Sequence, residues 1–199
     1  MAITPSGKLI LVAGMYRSGS TWLYNAARMY LQEMHGEDSV YGCYITDYDP
    51  QNEKPFHVVK GHEYIPEIVE AADLIVLSER NFEDIAISMS KFHDLPYSAA
   101  DIEKLCEYYS SYENYRKKSI VFRYQEIMET VDDCLIGKSS SLIRLTWGMM
   151  QMGVIKHTSF SDILEDGIME LVMKIEALPI PDGTPDYADP ITLLHPKHK

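Results

Sequence analysis

Cysteine is scarce and unpatterned. Cys43, Cys106 and Cys134 are odd in number, far apart and without a C-x-x-C pair, which speaks against a disulfide framework or a cysteine zinc site and predicts idle thiols in a reducing compartment. Positive charge is short as well: 18 Lys and Arg stand against 30 Asp and Glu, a formal net charge of -12. That balance opposes nucleic acid or an anionic membrane as partner, so any anionic ligand must meet a local cluster of donors. No apolar run approaches a membrane span. The opening "MAITPSGKLILVAG" lacks the basic start and small-residue cleavage site of a signal peptide, so the expectation is a soluble, cytoplasmic protein. There is neither an internal repeat nor a low-complexity linker. At 199 residues and 46% apolar, the chain holds one sizeable core. A single domain over 1–199 is expected, with an irregular, proline-rich tail from about 179.

The hydrophobic pattern alternates between two kinds of element. "KLILVAG" (8–14) is a continuous apolar run closed by glycine, as in a strand buried on both faces, and "STWLYNAARMYLQEM" follows with apolar residues at helical spacing. "PFHVVKG" (55–61), "DLIVLSE" (73–79) and "SIVFRY" (119–124) read as further strands. "YIPEIVEAA", "NFEDIAISMSKF" and "DIEKLCEYYSSYENYRKK" (101–118) read as helices, with Asn81 as an N-cap. "QEIMETVDDCLIG", "SSLIRLTWGMMQMG" and "SDILEDGIMELVMKIEAL" also read as helices. The result is a three-layer α/β fold of the P-loop NTPase-like kind: a mainly parallel central sheet with helices on both faces, and ligands beyond the carboxyl ends of the strands.

"AGMYRSGSTWL" (13–23) almost matches the phosphate-binding pattern G-x-x-x-x-G-K-[ST], but Gly14 and Gly19 are followed by Ser20 and Thr21 where the lysine belongs. Backbone amides and a helix N-terminus still offer an anion site there, and Arg17 supplies a planar cation from within the loop. Lys60 and His62 stand at alternate positions where a strand ends, suited to stabilising charge and accepting a proton. Arg80 lies just past the next strand and Ser88 in the helix after it, donors suited to a second phosphate. Each also has an ordinary reading. Trp22 lies on the apolar stripe of its helix, Arg80 has Glu79 and Asp84 as surface partners, and the tyrosines at 108, 109, 112 and 115 form a packing face.

In order, "MYRSGSTW", "VVKGH", "LIVLSERNFEDIAISM" and "VFRYQEIM" resemble the sulfotransferase family, over about residues 8–128. The resemblance implies 3'-phosphoadenosine 5'-phosphosulfate (PAPS) as sulfuryl donor, adenosine 3',5'-bisphosphate as product, and no metal. It implies that Arg17, Ser18, Gly19, Ser20 and Thr21 hold the 5'-phosphosulfate and that Trp22 packs on adenine. Lys60 and His62 match the strand-end K-x-H whose histidine is the base. Arg80 and Ser88 match the 3'-phosphate pair, with Asp84 on the acidic position between them, and Tyr124 with Glu126 is similar to the family's Y-E-D segment. The catalytic group so implied is His62, Arg17 and Lys60. One departure is plain: the family's late glycine-rich basic loop has no clear counterpart, and only 196–199, or Lys156 with His157, offer substitutes.

Two other functions fit parts of the pattern: a P-loop kinase-like enzyme, for which "LIVLSER" lacks the strand-end aspartate that would hold magnesium, and a non-catalytic nucleotide-binding relative. For a sulfotransferase, the negative charge favours a small alcohol, phenol or amine as acceptor over a polyanionic glycan.

Overall fold

The computed structural model describes residues 3–93 and 98–125, together with 144–146, 148–149, 151 and 153–154. Within them, β1 (Lys8–Ala13), β2 (Val40–Tyr44), β3 (Phe56–Gly61), β4 (Leu74–Glu79) and β5 (Ser119–Arg123) form one parallel sheet in the order β2-β3-β1-β4-β5. The helices are α1 (Ser20–His35), α2 (Pro66–Ala71), α3 (Phe82–His93) and α4 (Ala99–Ser110). The expected α/β architecture is therefore present. Of the helix expected over 125–137 only Gln125 is among the described residues; its remainder, the helix expected over 161–178, the tail from 179, and Glu126, Cys134, Lys156, His157 and 196–199 lie outside them.

Strand periodicity divides the core in two. Ile10, Val12, Val58, Leu74, Val76 and Phe122 face α1, where they meet Trp22, Leu23, Ala26 and Tyr30. Leu9, Leu11, Val59, Ile75 and Leu77 face the other way, toward Ile68 and Val69 of α2 and Tyr108 and Tyr109 of α4. β1 and β4 lie between covered faces, and Leu9 to Ala13 have no exposed surface. Burying each such Leu, Ile or Val contributes about 1.5–3 kcal/mol. This is why the central strands read as unbroken apolar runs.

Two elements differ from the sequence expectation. β2 falls in the segment 36–54, which no strand pattern marked. Its centre is Gly42, where a Cβ would come within 2.5 Å of Tyr24 Oη and 2.8 Å of Arg28 Cδ, so close helix packing removes the side chain that would have shown the period. The helix expected over 101–118 is α4, starting two residues earlier and ending at Ser110, followed by a 3-10 segment over Glu113–Lys118. Ser98 and Asp101 form a capping box that sets the start. At the end, Ser111 Oγ donates back to the Glu107 carbonyl at 2.9 Å, a contact that loosens a helix turn. Asn81 caps α3 as expected, accepting from the amide of Glu83 at 2.8 Å. Among the described residues no helix is long and apolar enough to cross a membrane.

Candidate active site

β1 ends at Ala13 and passes into the loop 14–19, which hands the chain to α1. Gly14 is required by space: a Cβ would lie 2.0 Å from Ser78 Oγ and 2.8 Å from Ser18 Oγ. Gly19, the N-cap of α1, has φ 92°, in the left-handed region that glycine adopts without strain. Arg17 has φ 64°. A left-handed arginine costs about 1–3 kcal/mol and persists only where its surroundings hold it.

Those surroundings come from β4 and α3. Arg17 Nε donates to Ser88 Oγ at 3.0 Å, and Arg80 Nη1 donates to the Arg17 carbonyl at 2.8 Å. The Arg80 guanidinium also lies 4.1 Å from the centre of the Tyr124 ring. Neither Glu79 nor Asp84 takes Arg80: Glu79 pairs with Arg116 at 3.1 Å. Ser18 turns inward. Its hydroxyl donates to the Met15 carbonyl at 2.6 Å and contacts Ser78 Oγ at 2.6 Å, while its amide also meets the Met15 carbonyl, so Ser18 shapes the loop from within.

The amides of Ser20, Thr21 and Trp22 precede the first α1 hydrogen bond, from Leu23 to Gly19, and no side chain caps them. The first turn holds no acidic residue either. This is a positive helix end shaped for an anion. Trp22 itself is buried in the α1-side core, and its indole N–H has no partner among the described residues.

β3 supplies the other wall. His62 is 8% exposed, and its Nδ1 is hydrogen-bonded to the Gly14 carbonyl. A carbonyl only accepts, so Nδ1 carries the proton and Nε2 is the basic nitrogen. Burial, then the charge of Lys60, pulls the imidazole's proton affinity down to about 3, against a smaller opposing effect of the Gly14 bond. Tyr16 covers the ring, 4.0 Å between centroids, and Tyr44 lies at 5.8 Å. Lys60 is 3% exposed, and its ammonium makes no hydrogen bond among the described residues. Burial lowers its ammonium to about 8, opposed by Glu63. A buried ammonium without a hydrogen bond is costly, and the field of Glu63 offsets only part of that cost.

Sequence reasoning thus named Arg17, Lys60, His62, Arg80 and Ser88, and the structure gathers them around one loop. It did not name Ser78, the polar residue near the end of an apolar strand, or the direct part of Tyr108 and Tyr109. Tyr108 Oη accepts from the Gly14 amide at 2.9 Å; Tyr109 Oη accepts from the Met15 amide at 3.4 Å and donates to the Ser78 carbonyl at 2.9 Å. Adjacent tyrosines on one helix, already legible as a packing face, were the available signal. A cleft of about 380 Å³ opens at the ends of β4 and β5, lined by Arg80, Phe82, Tyr109, Arg116 and Arg123. It flanks the Arg80 side, whereas His62 lies under Tyr16 and Tyr44.

No family model and no curated protein matches the sequence. Two solved structures of retinol dehydratase are similar. One, in a complex with retinol and PAP, is 17% identical with a TM-score of 0.55, over 88% of this chain and 66% of that one. The other, in complex with androsterone and inactive cofactor PAP, is 17% identical with a TM-score of 0.52, over 87% and 65%. The chain thus spans just under two thirds of the length of these relatives. Parallel strands in this order, a glycine loop opening α1 and the likeness to these structures lead to one conclusion: the chain has the sulfotransferase fold.

Proposed function

We propose that this chain is a PAPS-dependent sulfotransferase acting on a hydroxyl or amine of a small acceptor. The observation that carries the reading is the convergence of Arg17, Lys60, His62 and Arg80 on one glycine loop of a chain whose net charge is -12. The residues present fit such a ligand. Lys60 is a buried cation with no hydrogen-bond partner among the described residues, Arg80 Nε is buried without one, and the first amides of α1 are uncapped.

When bound, the donor supplies an activated sulfuryl group on its 5'-phosphate. The amides of Gly19, Ser20 and Thr21 with Arg17 hold that phosphate, and Arg80 with Ser88 hold the 3'-phosphate. Ser88 Oγ accepts from Arg17, so its own hydrogen remains to donate. Tyr124, beneath the Arg80 guanidinium, and Trp22, in the α1-side core, border the adenine. His62 Nε2 takes the acceptor's proton as the acceptor oxygen or nitrogen bonds to sulfur. The bond from sulfur to the 5'-phosphate oxygen breaks, and Arg17 and Lys60 stabilise the charge left on that oxygen. Lys60 depresses His62's proton affinity in the free protein. An anion that offsets this charge raises that affinity, which readies the base when the donor is in place.

Retinol and androsterone, found with the retinol dehydratase structures, are small hydroxyl compounds, which supports an acceptor of that class here. The test is thermal. Adenosine 3',5'-bisphosphate at 100 times its dissociation constant stabilises by about 2.7 kcal/mol, a rise of roughly 5–10 °C for a chain of this size. ATP with magnesium gives no such rise. An equal or larger rise with ATP moves the reading to a kinase-like enzyme, and bisphosphate binding without turnover moves it to a non-catalytic relative.

A further inference from the structure

The ladder between β1 and β3 ends at the pair Ala13 and Gly61. One residue further, the Tyr108 hydroxyl stands between the two tips, accepting from the Gly14 amide at 2.9 Å and reaching the Gly61 carbonyl at 3.5 Å. Tyr109 repeats the arrangement on the other flank, between the Met15 amide and the Ser78 carbonyl of β4. Consecutive hydroxyls from α4 thus tie the start of the loop to both neighbouring strands. Gly14 is held at both of its polar atoms: its amide by Tyr108, its carbonyl by His62 Nδ1.

We propose that Tyr108 is a positioning residue for the base: by fixing Gly14 it keeps the Gly14 carbonyl on His62 Nδ1, and so keeps Nε2 as the basic nitrogen. The catalytic consequence rests on the sulfotransferase reading; the effect on the tautomer does not. The argument is one of satisfaction. A buried amide that loses its partner is costly, so without the Tyr108 hydroxyl the Gly14 backbone turns to find another acceptor. Glycine has no side chain to resist the turn. The carbonyl then leaves Nδ1, and the tautomer that the hydrogen bond selected is no longer selected. Both hydroxyls remain protonated, since burial raises Tyr108 well above and Tyr109 to about 12.

The experiment is 15N NMR of histidine-labelled protein, joined to steady-state kinetics with PAPS. In the native protein His62 shows a protonated Nδ1 and an unprotonated Nε2. In Tyr108→Phe the signal becomes a mixture of tautomers, and kcat falls roughly three- to tenfold, the worth of one hydrogen bond, while the affinity for adenosine 3',5'-bisphosphate holds. Tyr115→Phe, which removes a hydroxyl facing Tyr64 and not the loop, leaves the tautomer as it was. A Tyr108→Phe protein with the native tautomer and native kcat overturns the proposal. Should that variant not fold, hydrogen exchange on the native protein decides: Gly14 must exchange as slowly as the amides of β1, and free exchange there overturns the idea equally. Failure of the native protein to bind the bisphosphate sinks the sulfotransferase reading alone, because the tautomer and exchange results do not depend on it.

Discussion

The two walls of the loop handle charge in opposite ways. On the β4 side Arg17 and Arg80 are half-buried guanidiniums, held by Ser88, a backbone carbonyl and an aromatic ring. On the β3 side Lys60 and His62 are almost wholly buried, and burial has lowered both, to about 8 and about 3. On the proposed reading, one wall grips an anion and the other moves a proton. The difference follows from position: β3 lies between β1 and β2, covered on both faces, while Arg80 follows β4 beside an open cleft.

Variants on the two walls therefore separate different observables. The largest effect is expected at the base: His62→Ala lowers kcat by about 10²–10⁴ and leaves the dissociation constant of adenosine 3',5'-bisphosphate near its native value. A fully active variant removes His62 from the mechanism. Next comes the permanent cation. Arg80→Ala reduces the preference for the bisphosphate over AMP by roughly 10- to 100-fold, as loss of a charged hydrogen bond does, measured by calorimetry; an unchanged preference means that the 3'-phosphate lies elsewhere.

Lys60→Met distinguishes the walls in the free protein. It removes a buried charge whose burial Glu63 only partly offsets, so the ligand-free protein gains about 2 kcal/mol, while the stabilisation produced by the bisphosphate shrinks. A loss of ligand-free stability would show that Lys60 already has its partner. The smallest effect is the pH dependence of stability. His62 is held near 3 in the folded state against 6.5 in the unfolded chain, so below about pH 6.5 the unfolded chain binds the extra proton. Stability is lost as pH falls from there toward 3, by about 1.4 kcal/mol at pH 5.5. Chemical denaturation of the native protein and His62→Asn at pH 7.5 and 5.5 measures it. Equal slopes with pH would mean that His62 does not titrate as its burial requires.

Residues whose role depends on local pattern were legible. The apolar runs of β1 and β4 could only be covered strands, and Gly14 to Thr21 between a strand and a helical stripe could only be a turn into a helix N-terminus. Lys60 and His62 could be paired from strand alternation alone. β2 was not legible, because Gly42 lacks a side chain for a reason that lies on α1. The tyrosines were seen as packing and are packing, but the atoms of Tyr108 and Tyr109 that matter are the hydroxyls, and where these end depends on how α4 lies across the strand tips. The Ser18 hydroxyl contacts Ser78, 60 positions away, a pairing no local pattern announces.

By itself, then, the order of residues determined most of the elements and marked the candidate residues, because apolar periodicity and glycine placement act within a few positions along the chain. What only the tertiary structure decided is the state of those groups. The Lys60 ammonium has no hydrogen bond among the described residues, His62 bears its proton on Nδ1, and Gly14 is clamped at both polar atoms. Each depends on burial and on hydrogen bonds between residues far apart in sequence, and neither has a period that can be read along the chain.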